Sequence, residues 1–196
     1  ICYTLDFVSK IFTENDKVCI STDDKNIIDL VRPYNFDLLK RPSRLATDES
    51  SMEEVINHAL KNYYVKNISF KAIIILQPTS PLRIKDDFLK LELLFNSKID
   101  MVVSVRKARE NPYYHLYEEN QYGFINKSKE FEIKRRQDSP NVYCLNGSFF
   151  MINPISLRFK KISDFKKIIK FEMPFERSID IDDEIDWKLT KVFLDG

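Results

Sequence analysis

The run Ala72 to Leu76 (AIIIL) constrains this chain most, because it is continuously apolar and stops abruptly at Gln77-Pro78-Thr79-Ser80-Pro81. A run without polar alternation suits a strand covered on both faces, the usual condition of a parallel sheet flanked by helices. Asp100 to Val105 (DMVVSV) predicts a second buried strand of the same kind, and Ser148 to Ile152 (SFFMI) and Ile168 to Met173 continue the regular structure. Between these runs the apolar residues recur at helical spacing. Leu5, Val8 and the Ile11/Phe12 pair form one set, Met52, Val55, Ile56, Ala59, Leu60 and Tyr63 a second, and Phe88, Leu91, Leu94 and Phe95 a third. A closing helix carries Ile185, Leu189, Val192 and Phe193 on one face. Near the start, Lys17 to Ser21 reads as a strand. Thr22-Asp23-Asp24 offers capping oxygens for a helix from Lys25 to Val31, stopped before Pro33. Strands alternating with helices predict an α/β fold with an open, mostly parallel sheet.

The 196 residues suffice for one sizeable core. From about Arg106 to Leu145 the pattern turns polar and aromatic-dotted, with Tyr113, Tyr114, Tyr117, Tyr122 and Phe124, and reads as an inserted arm on a single domain spanning residues 1–196. With 31 basic and 30 acidic side chains the formal charge is +1, so there is no general pull toward nucleic acid or an anionic membrane, and any phosphate site is local. Cys2, Cys19 and Cys144 are widely spaced and, with two histidines in the chain, supply no zinc cluster. No apolar run approaches the roughly 18 residues needed to span a bilayer, and no signal segment opens the chain, so the expected location is cytoplasmic.

Four polar constellations carry chemistry. In Ser178-Ile179-Asp180-Ile181-Asp182-Asp183, alternation along an extended segment puts Asp180 and Asp182 on one face and anchors Ile179 and Ile181 on the other. Two such carboxylates suit a hard cation such as Mg²⁺; the plainer alternative is that Asp182 or Asp183 caps the last helix. Gln77-Pro78-Thr79-Ser80-Pro81-Leu82-Arg83 places a Gln, two hydroxyls and an Arg just beyond a strand's carboxyl end, where open α/β sheets bind ligands. Arg41-Pro42-Ser43-Arg44-Leu45-Ala46-Thr47-Asp48, followed by Ser50 and Ser51, offers a rigid donor fork for a pyrimidine edge, or else a solvated loop. Arg135-Arg136-Gln137-Asp138-Ser139-Pro140 could hold a carboxylate or phosphate, ordinary surface charge being the alternative. Leu145-Asn146-Gly147-Ser148 after it allows a tight turn into the next strand.

Taken in order, R-P-S-R-L-A-T-D, I-L-Q-P-T-S-P-L-R, R-Q-D-S-P with L-N-G-S, and D-I-D before a closing helix resemble the acylneuraminate cytidylyltransferases, the CMP-sialic acid synthetases. The resemblance implies a Rossmann-like nucleotidyltransferase fold with an inserted dimerisation arm over residues 106–145. It also implies a homodimer and transfer of CMP from CTP to the anomeric hydroxyl of a nonulosonic acid sugar, with release of pyrophosphate and Mg²⁺ as cofactor. By resemblance, Arg41, Ala46, Thr47 and Ser51 hold the nucleotide, and Gln77, Thr79 and Ser80 meet the sugar. Arg136 binds its carboxylate, Asn146 and Phe150 line its pocket, and Asp180 and Asp182 ligate the metal. Phe150 stands where the family often has Tyr, so no hydroxyl contact is expected there. Alternatives are an inactive relative, or a cytidylyltransferase for another acid sugar such as an octulosonate.

One departure accompanies the resemblance. The family's opening strand and basic, glycine-containing triphosphate loop (A-R-x-G-S-K-x-x-x-x-K-N) have no counterpart in these residues, whose text begins with helical spacing. That strand would lie near the middle of the sheet. The resemblance therefore implies that the 196 residues alone fold poorly and transfer no CMP.

Overall fold

A computed structural model describes residues 1–47, 49–132 and 135–195. Among these the chain forms α1 (Cys2–Ile11), β1 (Cys19–Thr22), α2 (Lys25–Val31), β2 (Asp37–Lys40), α3 (Met52–Tyr64), β3 (Ile73–Ile75), α4 (Lys85–Glu92) and β4 (Met101–Lys107). There follow β5 (Tyr117–Glu119), β6 (Ile125–Lys127), β7 (Tyr143–Ile152), α5 (Pro154–Phe159), β8 (Ile168–Glu172) and α6 (Glu184–Asp195). The main sheet has the order β3-β7-β4-β8. β3, β4 and β8 run the same way, and β7 runs against them. β1 and β2 form a separate parallel pair. Among the described residues β1 pairs only with β2, and β3 only with β7.

The sheet is the middle layer of three because successive residues of its central strands point to opposite faces. Met101, Val103 and Val105 of β4 and Phe150 and Ile152 of β7 pack with Ile56 and Leu60 of α3 and Leu157 of α5. Val102, Phe149 and Met151 face the other way, against Phe7 and Val8 of α1 and Phe88 and Leu91 of α4. Local signals set the helix starts. Asp24 accepts from the Asn26 and Ile27 amides at the head of α2, and Ser51 and Glu54 form a reciprocal capping box on α3.

The β4–β7 ladder is interrupted near the carboxyl end of β4. Val103 pairs with Phe150 and Val105 with Leu145, so β4 advances two residues while β7 advances five. The surplus residues of β7 bulge out, and the Ser104 side chain replaces the broken ladder. Its hydroxyl accepts from the Phe149 amide at 2.7 Å and donates to Asn146 Oδ1 at 2.6 Å. Ser104 and Asn146 are both buried, so these bonds satisfy groups that water does not reach. Asn146-Gly147 is thus a bulge inside a strand and not, as expected, a turn leading into one.

β4 and β7 still pair at Lys107 and Tyr143, which narrows the expected 106–145 insertion to the segment beyond that pair. Within it β5 and β6 form an antiparallel hairpin whose tip exposes Tyr122 and Phe124. α6 forms where the spacing placed it. Among its described side chains Thr190 is the buried one, whereas Ile185 and Val192 of the expected apolar face are largely exposed. No helix of the described residues is long and apolar enough to cross a membrane.

Candidate functional site

Gly147, at the crest of the β7 bulge, is the point on which three separate stretches converge. Its φ is +70°, a conformation that side-chain-bearing residues rarely adopt. A Cβ there would overlap Gln77 Oε1 and lie 2.6 Å from Asp180 Oδ2 and 2.9 Å from Ser80 Oγ. Gln77 and Ser80 follow β3, Asp180 follows β8, and the bulge adjoins the carboxyl end of β4. The meeting place therefore lies beyond the carboxyl ends of the three co-directional strands, the ligand-binding edge of an open α/β sheet.

Main-chain and side-chain bonds hold this convergence. Ser80 Oγ lies 3.1 Å from Asn146 O and 3.3 Å from Asp180 Oδ1, with one proton to donate between them. The Ile181 amide donates to Thr79 O at 2.9 Å, joining the two strand-end segments directly. Asn146 Nδ2 donates to Ser178 Oγ at 2.9 Å, and the Ser178 hydroxyl passes the chain on to Pro174 O at 2.8 Å. Arg177 grips the buried Asp87 carboxylate of α4 with two bonds of 2.8 Å, a bidentate pair that fixes the approach to Asp180.

The expected carboxylates are placed differently from each other. Asp180 is half-buried against Ser80 and Gly147, and Asp182 is exposed, its amide donating to Asp186 Oδ2. The cap of α6 is Asp183, which accepts from the Ile185 and Asp186 amides. Asp180 and Asp182 thus keep their carboxylates off the helix start. No group of three His, Cys, Asp or Glu side chains suited to a metal occurs among the described residues. Two carboxylates completed by phosphate oxygens and water are nevertheless the ordinary donor set for Mg²⁺.

The nucleotide residues expected from the sequence form a second group. Arg41 follows β2 directly. Its Nη2 donates to Ser21 O at 2.6 Å and its Nε to Ser21 Oγ at 3.3 Å, which seats the guanidinium and leaves Nη1 without a bond to the described residues. Ala46 closes a short 3-10 turn by donating to Ser43 O, and Thr47 Oγ1 lies 3.0 Å from Ser50 Oγ. The Ser51 hydroxyl is engaged in the α3 cap. Asp48 of this motif lies outside the described residues.

Arg136 belongs to a third group, at the root of the arm. Its guanidinium stands over the Tyr114 ring at 4.9 Å, on the wall of a cleft of about 350 Å³ shared with Lys107, Asn111 and Pro140. Thr79 is exposed beside Gly147's neighbours. Two residues expected to line a sugar pocket face inward instead. The Asn146 side chain is spent on the bulge and on Ser178, and Phe150 packs with Ile56 and Leu60 on the α3 face. Arg83, expected to meet a ligand, is also buried. A somewhat larger cavity, of about 390 Å³, surrounds Asp100 at the opposite, amino end of β4. There Ser156, Lys160 and the Lys166 and Lys167 amides donate to the Asp100 carboxylate and hold it well below the usual carboxylate range.

Comparison with known proteins places this arrangement. No family model matches the chain. It is 30% identical over 189 residues to the CMP-N,N'-diacetyllegionaminic acid synthase of Campylobacter jejuni, covering 95% of this chain and 79% of that protein. It is 30% identical over 176 residues to the N-acylneuraminate cytidylyltransferase of Escherichia coli O18:K1:H7, covering 89% of this chain but only 41% of the relative. The chain belongs to the acylneuraminate cytidylyltransferase family. The solved structure of a CMP:2-keto-3-deoxy-manno-octonic acid synthetase complexed with CTP superposes with a TM-score of 0.65 at 11% identity, over 100% of this chain and 87% of that one. At that identity the likeness establishes the nucleotidyltransferase fold. Family membership gives the convergence on Gly147 its significance, since L-N-G-S is one of the motifs that carried the resemblance.

Gly147→Ala is expected to lower stability by about 1–3 kcal/mol, from the strained φ together with displacement of Gln77, Ser80 and Asp180. Urea unfolding monitored by circular dichroism measures it. A midpoint equal to the parent's would contradict the close packing at this position.

Proposed function

We propose that this protein transfers CMP from CTP to the anomeric hydroxyl of a nonulosonic, sialic-acid-like sugar and releases pyrophosphate. The observation that carries the reading is the meeting of Gln77, Ser80 and Asp180 over Gly147 at the strands' carboxyl ends. The Arg41 loop and the Arg136 cleft supply the further polar groups such a reaction needs. The names of the two relatives both describe the making of CMP-activated or cytidylyl-activated acid sugars, which supports the same class of reaction.

In this reading the sugar hydroxyl oxygen forms a bond to the α-phosphorus of CTP while the bond to the pyrophosphate oxygen breaks. The hydroxyl proton leaves to solvent or to a base that the described residues do not identify. Arg41, seated by Ser21, presents Nη1 to the acceptor edge of cytosine, beside the main chain of Ala46 and Thr47. Gln77, Thr79 and Ser80 orient the sugar, and Arg136 pairs with its carboxylate. Asp180 and Asp182 would hold Mg²⁺, which when bound neutralises charge on the phosphates and on the departing pyrophosphate. No covalent intermediate on the protein is needed. The exposed aromatics of the β5–β6 hairpin provide the contact for a second copy, because large apolar and tyrosine side chains are enriched in such interfaces.

The activity is tested by incubating the protein, expressed from its gene, with CTP, Mg²⁺ and a panel of nine-carbon and eight-carbon 2-keto acid sugars. Pyrophosphate release with a nine-carbon acid is expected. Release confined to the eight-carbon acid, or none with any sugar, would overturn the reading.

Three variants or measurements follow from the placement of the groups. Asp182→Asn should lower kcat by about a hundredfold or more, the scale for losing charge stabilisation in a transition state, and near-normal turnover would remove Asp182 from the metal site. Arg41→Ala should weaken CTP binding and narrow the preference for CTP over UTP; unchanged CTP affinity by calorimetry would put the base elsewhere. Light scattering should return a dimer at micromolar concentration, and a monomer with an ordered hairpin would contradict the interface.

A further inference from the structure

Arg83 closes the Q-P-T-S-P-L-R motif, yet its side chain lies beneath the site and not in it, with 5% of the residue exposed. Its three arms reach three different elements. Nη2 donates to Gln77 O, Nε to Ser148 Oγ at 3.3 Å, and Nη1 to Thr4 Oγ1 of α1 at 3.3 Å. The guanidinium carbon stands 5.8 Å from the Phe7 ring centre and 5.6 Å from that of Phe149. Gln77 and Ser148 are the residues on either side of the Gly147 contact, one touching it across space and the other next to it in sequence.

The electrostatics of this seat are unusual. No carboxylate among the described residues lies within ion-pair distance of Arg83. Burial pulls its guanidinium down to about 10, and the field of Asp180 acts the other way. The group therefore stays protonated near neutral pH, a buried cation facing two aromatic rings and three neutral acceptors. Retaining such a charge is costly. A fold that needed only filling here would be served as well by an apolar side chain, so the guanidinium is kept for what its fork connects.

We propose that Arg83 is the positioning residue of the sugar half of the site, fixing the separation between the Gln77 loop and the Gly147 bulge from below. This rests on the cytidylyltransferase reading for its functional consequence, though the tether itself does not. A planar fork suits this seat because each acceptor meets a different guanidinium nitrogen, whereas an ammonium carries its three donors on one atom. The Arg41 loop follows β2 and its described residues make no bond to Arg83, so the two halves of the site respond separately to its loss.

The test is Arg83→Lys, with Ser148→Ala and Thr4→Val as variants that each cut one tether and keep the cation. Arg83→Lys should lower kcat/KM for the sugar by about tenfold or more, the scale of a small misplacement of a substrate-orienting group, while KM for CTP stays within about twofold. Ser148→Ala should move the sugar parameter the same way and less. Equal losses for sugar and CTP, or none for either, would reduce Arg83 to a structural residue. Hydrogen exchange supplies the readout that does not depend on activity: amides of Gln77, Thr79, Ser80 and residues 146–149 should exchange faster in Arg83→Lys, and those of α3 should not. Unchanged exchange at Gln77, Thr79, Ser80 and residues 146–149 would overturn the tether whatever the parent enzyme does. If Arg83→Lys does not fold, the two tether variants carry the same comparison. A parent protein that releases no pyrophosphate while the exchange pattern is as expected would fault the reaction and leave the tether standing.

Discussion

The Ser104 hydroxyl, standing in for a missing stretch of the β4–β7 ladder, is the interaction on which the rest of this site depends. By accepting from the Phe149 amide and donating to Asn146 Oδ1 it lets three surplus residues leave the strand, the five-to-two mismatch between Val103/Phe150 and Val105/Leu145, without orphaning buried polar groups. That excursion carries Gly147 to the strands' carboxyl edge. The other end of the Asn146 amide then hooks Ser178 and so fixes the segment bearing Asp180. A side chain at position 147 would push Gln77, Ser80 and Asp180 apart, and for that reason the crest is glycine.

The charge pattern obeys the same local logic. A chain with a formal charge of +1 has no overall field to gather an anionic substrate, so its cations are stationed individually. Arg41 is seated on the Ser21 carbonyl, Arg136 on the Tyr114 ring, and Arg83 beneath the central cluster. Arg177 is different. Its bidentate pair with Asp87 is spent on structure and anchors the chain that delivers Asp180. Arg83 and Arg177 therefore organise the central cluster without reaching its open side.

Much of this was legible in the sequence. The apolar runs at 72–76 and 100–105 became β3 and β4, the capping oxygens before Lys25 started α2 where expected, and the three helical spacings gave α1, α3 and α4. The Q-P-T-S-P-L-R motif could be read as a strand-end loop because the apolar run 72–76 precedes it. What escaped were features set by contacts far apart in the chain. β2 is a short, half-polar strand (DLLK) without alternation, formed because β1 offers it a parallel edge. Asn146 and Phe150 were expected beside a ligand, but their directions depend on the bulge register. The Ser104 to Asn146 bond spans 42 positions, and no local pattern announces it. The place of Arg83 just after a strand is readable from the sequence, whereas the depth of its seat, set by α1 and β7, is not. Ile185 and Val192 likewise share a helical face that packing against the core did not use.

The measurement that bears most directly on the account is a crystal structure of the protein with CTP and Mg²⁺. The account predicts cytosine against Arg41 and the Ala46–Thr47 main chain, with the phosphates reaching toward Asp180 and Asp182 over the Gly147 bulge. Nucleotide density at the amino ends of the strands, in the cavity around Asp100, or with the base away from the Arg41 loop, would contradict it.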